Sequence, residues 1–404
     1  MANTFEFIGK IVPCKETEKF KPYGTERFPN SDWGKKFIKF NMVCGTNRHL
    51  VEVNCLMDCE HGMDNSKIFT FSKGSVNSDG TTNKGEKMTV DFKDRFNGDI
   101  VEQVANFKKF VLDTEYPGRR FGLEKLRDRI KDGGEISEEE STKYNVNNLQ
   151  DIEKELEISD KRKHVFISEY DYIDALNKFV NNEEIKNMKF RVRGTYELDY
   201  NEKDDKWYRH FYVQSIYRAK DEEEPISIGK FVVAFDKNAV EDTMFEETKK
   251  IKIIAYVPQY LGKYKKTFFA PIVFTIDGTK DEKMAKFFAK KFNFPDTYDD
   301  DYRELGVVCD ILDGAQIMEI TYDDLTEEQK ENVDFGLCTL DDIRAELGGN
   351  KYGDRVTDII FTGLGRGYTN GSKPTKYVKN DFCKPHNEAE ITKEEVDDIF
   401  GDIL

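Results

Sequence analysis

The sequence predicts an α+β fold, two β-rich blocks with helical insertions. Three observations point there. Residues 1–100 and 188–277 contain short runs in which apolar and polar side chains alternate, the period of a half-buried strand. From about 99 to 160 apolar residues recur instead at helical spacing. Aromatics make up 13% of the 404 residues, a share that disordered chains lack because rings drive burial.

The first block opens with a strand from Phe5 to Val12, ended by Pro13. A polar and aromatic loop runs from Cys14 to Gly34. Lys35 to Cys44 is the second strand, Gly45-Thr46-Asn47 a turn, and His49 to Cys55 the third. His49, Val51, Val53 and Cys55 share one face of that third strand. Lys67–Ser72 and Glu86–Phe92 read as two more strands. Ile100, Val104, Phe107, Phe110 and Val111 mark a helix. Leu123, Leu126 and Ile130 mark another, stopped by Gly133-Gly134. Two solvated helices follow, around Ser137–Glu140 and Leu149–Leu156. Val165–Ser168 returns to strand before a helix on Tyr172, Ala175, Leu176 and Phe179.

The second block runs through strands at Phe190–Leu198 and Trp207–Tyr217, joined by a charged turn. Further strands are expected at Phe231–Phe235, Ile251–Val257 and Thr267–Ile276, with a helix at Ala239–Thr248. Strand, long loop, paired strands, helix and two strands is the layout of a five-stranded Greek-key barrel of the OB type. The second block fits it, and the first fits if Val165–Ser168 closes it. Residues 281–382 read as a mixed segment. It holds a helix at Met284–Phe292, a hairpin at Val307–Leu312 and Gln316–Thr321, helices at Leu325–Val333 and Thr339–Leu347, a strand at Val356–Phe361 and a glycine-rich loop. The expected organisation is therefore an OB-like domain at 1–185 carrying the helical insertion, a second at 186–280, the mixed segment at 281–382 and an acidic tail at 383–404.

Composition excludes several classes. No run approaches the roughly 18 uncharged apolar residues of a membrane-spanning helix. The first residues lack the basic start and apolar run of a signal peptide. Seven irregularly spaced cysteines argue against a disulfide framework and for a reducing, cytoplasmic setting.

Enzyme signatures are weak, and no cofactor is called for. There is no phosphate-binding Gly-x-x-x-x-Gly-Lys motif, and Gly363–Gly367 follows a strand without opening a helix. Cys55, Cys59 and His61 lie close enough in sequence to suggest zinc ligands, although Cys55 falls on an inward strand face and the spacing matches no common finger. A zinc-dependent nucleic-acid enzyme is thus one alternative.

The positive signal is basic residues interleaved with rings. In the first block they are Lys19, Lys21, Tyr23, Arg27, Trp33, Lys35, Lys36 and Lys39. In the second they are Arg191, Arg193, Trp207, Arg209, Arg218, Lys263, Tyr264, Lys265 and Lys266. Cations track phosphates and rings stack on any base, which is what a single strand needs. Trp33, Tyr23 and Tyr264 fall in loops or turns, where rings face a ligand. Phe211 and Phe231 fall on strands, where rings face a core. A net charge of −16 does not forbid this partner, because residues 1–40 hold eight cations against five acids.

The last 17 residues, from Glu388, carry seven acids against one Lys and close on an apolar tip. Asp397-Asp398-Ile399-Phe400 resembles the tail motif of single-stranded DNA-binding proteins of bacteria and their phages, without that motif's spacer and with four residues after the Phe. The tandem β blocks are also similar in layout to phage-encoded OB-fold members of that family. The resemblance implies sequence-independent binding of single-stranded DNA in replication or recombination, and a tail that docks partner proteins. The other alternative is a protein-interaction scaffold that uses the acidic tail and never touches nucleic acid.

Overall fold

The computed structural model describes residues 3–76, 82–83, 85–293, 302–319, 321–322, 325–340, 342–343, 350–375, 377, 379–382 and 385. The chain begins with strands β1 (Thr4–Pro13), β2 (Tyr23–Arg27), β3 (Trp33–Cys44) and β4 (Asn47–Asp58). An insertion follows, with β5 (Lys67–Phe71), β6 (Ser75–Val76), β7 (Thr82–Asn83), β8 (Lys87–Asp91), α1 (Gly98–Gln103), β9 (Phe110–Asp113), α2 (Pro117–Lys131), α3 (Glu138–Tyr144), α4 (Leu149–Lys161) and β10 (Lys163–Phe166). Then come α5 (Glu169–Val180), β11 (Lys189–Asn201), β12 (Lys206–Arg218), β13 (Ile226–Phe235), β14 (Val240–Glu241) and α6 (Phe245–Thr248). The last elements are β15 (Lys250–Leu261), β16 (Lys266–Asp277), α7 (Glu282–Ala289), β17 (Arg303–Glu319), α8 (Glu327–Asp334), β18 (Asn350–Leu364) and β19 (Lys373–Pro374).

Strand pairing closes two circuits. β1 gives one edge to β11 and divides the other between β13 and β3. β3 pairs with β4 along its whole length, β11 pairs with β12, and a parallel bridge at Tyr212 and Glu52 joins β12 to β4. The path β1–β3–β4–β12–β11 thereby returns to its start. β13 repeats the rule: one edge goes to β17, the other is divided between β1 and β15. β15 pairs with β16, β17 with β18, and a parallel bridge at Thr275 and Ile360 closes β13–β15–β16–β18–β17. A helix precedes the fourth strand of each circuit, α5 in the first and α7 in the second.

Alternation explains why these strands close. Phe7, Ile11, Ile38, Phe40, Met42, Val51, Val53, Phe190, Val192, Phe211 and Val213 all turn inward and are buried. The same apolar cluster continues without a break into Phe231, Val233, Ile253, Phe274, Leu305, Val307 and Phe361 of the second circuit. Gly9 and Gly194 sit where backbones press together. A Cβ at Gly9 would lie 2.1 Å from the Val43 carbonyl oxygen, and one at Gly194 1.8 Å from that of Tyr212. Gly194 also flanks the register shift that bends β11 against β12.

The helical part of the insertion has its own core. Leu123 and Leu126 of α2, Tyr144 of α3, and Ile152 and Leu156 of α4 pack together. Pro117 opens α2, and Ser137 with Glu140 forms a reciprocal cap on α3.

Several expectations are corrected. Val165–Ser168 does not close the first block, since β10 pairs with β9 inside the insertion. The closing strands are β11 and β12, so the boundary expected at 185/186 cuts through the first circuit. The mixed segment supplies two strands of the second circuit. Its expected hairpin is one strand, β17, whose partner is β18. The helix expected at Ile100–Val111 stops at Gln103, and Phe110 and Val111 are extended. The helix expected at Ala239–Thr248 shrinks to the four residues of α6.

Candidate nucleic-acid interface

Because Ile38, Phe40 and Met42 turn inward, Trp33, Lys35, Phe37 and Lys39 share the outward side of β3. The ladder sets Trp33 against Asp58, Lys35 against Leu56, Phe37 against Asn54 and Lys39 against Glu52. Trp33 is 45% exposed and Leu56 61%. Beyond β4, β12 adds Tyr208, His210 and Tyr212 on the same side, since Phe211 and Val213 are core. The loop before β2 folds over one end: the Lys39 N–H donates to the Pro22 carbonyl at 2.6 Å, and Lys39 Nζ lies 5.9 Å from the Phe20 ring.

Glu52 sits at the centre. Burial pushes its carboxyl up, but the hydrogen bond from His210 and the charges of His210, Lys39 and Lys35 reverse this and hold it below its ordinary value. Lys39 Nζ is 3.7 Å from Glu52 Oε2. Burial, followed by the carboxylates of Asp199 and Glu52, pushes the Tyr212 hydroxyl well up, so it stays protonated. The His210 and Tyr212 rings lie parallel, 5.7 Å apart. The Tyr208 hydroxyl donates to Asp204 in the β11–β12 turn. Rings and ammonium groups alternate along β3, and β12 adds further rings on the far side of β4. That arrangement can hold bases and phosphates.

The sequence-predicted residues divide sharply. Trp33, Lys35 and Lys39 come together here, and Lys19 and Lys21 are exposed on the adjoining loop. Tyr23 and Arg27 are registered against Ile38 and Gly34, on the opposite side of the ribbon. The Tyr23 hydroxyl donates to Asp174 at 2.9 Å, and Arg27 donates to the Ser31 carbonyl at 2.8 Å and pairs with Asp32. Lys36 is buried: its Nζ is 2.7 Å from Asp174 Oδ2 and 3.4 Å above the Tyr170 ring, so it pins α5 rather than a phosphate.

The second set does not join this face. Arg191 pairs with Glu6 and Glu223, and Arg193 with Glu6 at 3.0 Å. Trp207 and Arg209 are one position out of phase. Arg209 reaches Asp313 at 2.6 Å, and Trp207 packs against the core beside Tyr200. Arg218 bonds the Lys189 carbonyl and Asp221. Lys263 and Tyr264 both engage Glu202, Lys265 occupies a left-handed turn position, and Lys266 lies 5.8 Å from the Phe268 ring. The sequence reading passed over Leu56, and from the basic and aromatic run at 207–212 it chose Trp207 and Arg209 rather than Tyr208 and Tyr212. The two tyrosines were available to it, because placing Phe211 in the core puts 207 and 209 inside and 208, 210 and 212 outside.

Cys55 packs against the core, and burial pushes its thiol up to about 12. Cys59 Sγ lies beside Gly34, and the His61 ring approaches Asp58 at 3.3 Å. Among the described residues no three His, Cys, Asp or Glu side chains gather as a metal set. Nor is any helix there long and apolar enough to cross a membrane. The tail motif Asp397–Phe400 lies outside the described residues.

No protein-family model matches the chain. No curated protein matches it either. Among solved structures the chain is similar to a deletion mutant of the single-stranded DNA binding protein from Thermus aquaticus. The TM-score is 0.27 at 8% identity, over 77% of this chain and 86% of that one, a likeness too slight to carry an argument.

Proposed function

We propose that the chain binds single-stranded DNA without sequence preference on the outward face of β3, β4 and β12, and that both circuits are barrels of the OB type. The spatial order first, second, third, fifth, fourth strand, with a helix before the fourth, supports the barrel reading. The observation that carries the functional reading is Trp33 beside Lys35 and Lys39 on the second strand, with Tyr208 and Tyr212 across the face. The loop between β1 and β3 and the turn between β11 and β12 flank it, where OB barrels take oligonucleotides. The role is that of a replication or recombination protein in a phage-infected or bacterial cytoplasm. It requires no catalysis, and the acidic tail serves partner proteins.

Fluorescence titration of oligothymidylate against a duplex, repeated over salt, tests this. Single strands bind in preference, with a log–log salt slope of about −0.7 per phosphate contacted. No binding at low salt overturns the reading and favours the protein scaffold.

A further inference from the structure

A second basic–aromatic surface lies in the insertion, in residues the functional reading above does not use. β5 and β8 form a two-stranded hairpin whose inner side, with Ile68, Met88 and Val90, packs on Val104 and Ile167. Its outer side presents Lys67, Phe69 and Phe71, with Lys87 registered against Phe71. Phe69 is 80% exposed. The segment after α1 docks along the hairpin edge, the Ala105 N–H donating to the Phe71 carbonyl at 2.8 Å. That docking sets Phe107, 64% exposed, 5.9 Å from Phe71. Lys108 Nζ lies 5.8 Å from the Phe71 ring.

The patch is cationic as well as aromatic. Lys73 pairs with Glu102, and Lys67 with Asp91 at 3.6 Å. Lys87, Lys108, Lys109 and Lys163 form no ion pair among the described residues. Burial, then the charge of Lys73, holds the Lys109 ammonium below its ordinary value, and Lys163 adds to this while Glu102 opposes it. Cations that depress one another gain from a polyanion.

The patch also joins the first face. Gln214, two residues beyond Tyr212 on β12, donates its side-chain amide to the Phe107 carbonyl. β9, which follows Lys109, pairs with β12 at Ser215 to Tyr217.

We propose that Phe69, Phe71 and Phe107, with Lys87 and Lys108, continue the single-strand path from the first circuit onto the insertion. The proposal rests on the function proposed above. Flat rings between unpaired ammonium groups suit stacked bases better than a protein partner, whose docking site has an apolar centre depleted of charge.

The test uses the full chain and oligothymidylates of about 8 and about 25 nucleotides, inside and beyond the roughly 4–16 that one OB barrel covers. The double variant Phe69→Ala/Phe107→Ala binds the short strand within about twofold of wild type, but loses about tenfold or more on the long one. In Lys87→Gln/Lys108→Gln the salt slope on the long strand falls by about 1.4, two contacts at 0.7 each. A thermal melt confirms that each variant is folded. Equal binding by wild type and both variants at both lengths overturns the inference and assigns the patch to a protein partner. Equal losses at both lengths overturn it too. Failure of the wild type on the short strand is a different result: it removes the first face, and the path with it.

Discussion

In the first circuit the outward side of β3 carries Trp33, Lys35 and Lys39 to solvent, and no segment of the described chain stacks on the Trp33 ring. In the second circuit the corresponding strands, β15 and β16, carry Tyr256 and Phe269 beneath the chain's own residue. Phe382 lies flat on Phe269 at 4.1 Å and on Tyr302 at 3.7 Å, with its edge to Tyr256 at 5.0 Å. Tyr377 meets Phe269 edge-on at 4.5 Å. Two circuits with one pairing rule therefore put their outer rings to different uses. Inward residues decide that a circuit closes. Outward residues, which closure leaves free, decide whether its face stays open or becomes a second layer of core.

The covered face should respond to truncation as a core does. Phe269→Ala is expected to cost about 3–5 kcal/mol of stability, the range for a buried Phe. Affinity for a short oligothymidylate should stay as in wild type. A binding loss as large as the stability loss, measured on protein shown to be folded, would break the contrast. The next effect belongs to the junction of the circuits. His49 of β4 is buried, lies flat on Phe7 at 4.1 Å, and bonds Ser227 of β13 at 2.9 Å. Burial pushes its imidazole down to about 4, with the Arg209 charge adding and Asp313 opposing. The unfolded chain takes up this proton near its ordinary value, the folded chain only near 4. The folded state thus binds fewer protons between those limits, so stability falls as pH drops through that window and levels off below it. The full span is worth about 3 kcal/mol. Urea midpoints at pH 7 and pH 4.5 check this. His49→Phe keeps the stacked ring and should flatten that part of the profile.

The strands of the first circuit were legible where their partners are near in sequence. β3 and β4 are joined by a tight turn, and alternation alone sets their register and faces. The closing partner was not legible. β4 ends at Asp58 and β11 begins at Lys189, and the insertion between them offers a nearer strand at Val165–Ser168 that fits the pattern as well. Nothing local says that β10 is taken by β9. Lys36 shows the same limit on a smaller scale. Its phase with Ile38 and Phe40 places it inward, but the carboxylate that keeps it there, Asp174, lies 138 residues away. Trp207 and Arg209 were misplaced for a different reason. A run that is basic and aromatic throughout hides its period, and only Phe211 as a core anchor reveals it.

The open face is tested at its most exposed ring. Trp33→Ala is expected to weaken single-strand binding by about 1–3 kcal/mol, the worth of one stacked base. Its melting temperature should barely move, since Trp33 is 45% exposed. Arg209→Met provides the contrast on β12. Its guanidinium is held by Asp313 on the inward side, so it should lower stability and leave short-strand affinity alone. Equal effects of the two substitutions on binding would mean that phase does not separate the faces.

The smallest expected effect sharpens the comparison most. Phe382→Ala removes the ring that covers the second circuit and leaves Tyr256, Phe269 and Tyr302 in place. Ring pairs of this geometry are worth about 0.5–1.5 kcal/mol each beyond area burial. Phe382 is only half-buried, however, and ordering its segment offsets part of that gain, so a net loss of about 1 kcal/mol is expected. If the cover is only packing, the variant melts slightly earlier and binds a short strand as wild type does, because Trp33, Lys35 and Lys39 are untouched. If affinity rises instead, the uncovered rings are taking bases. The two faces would then be equivalent, and Tyr377 and Phe382 would hold one of them shut.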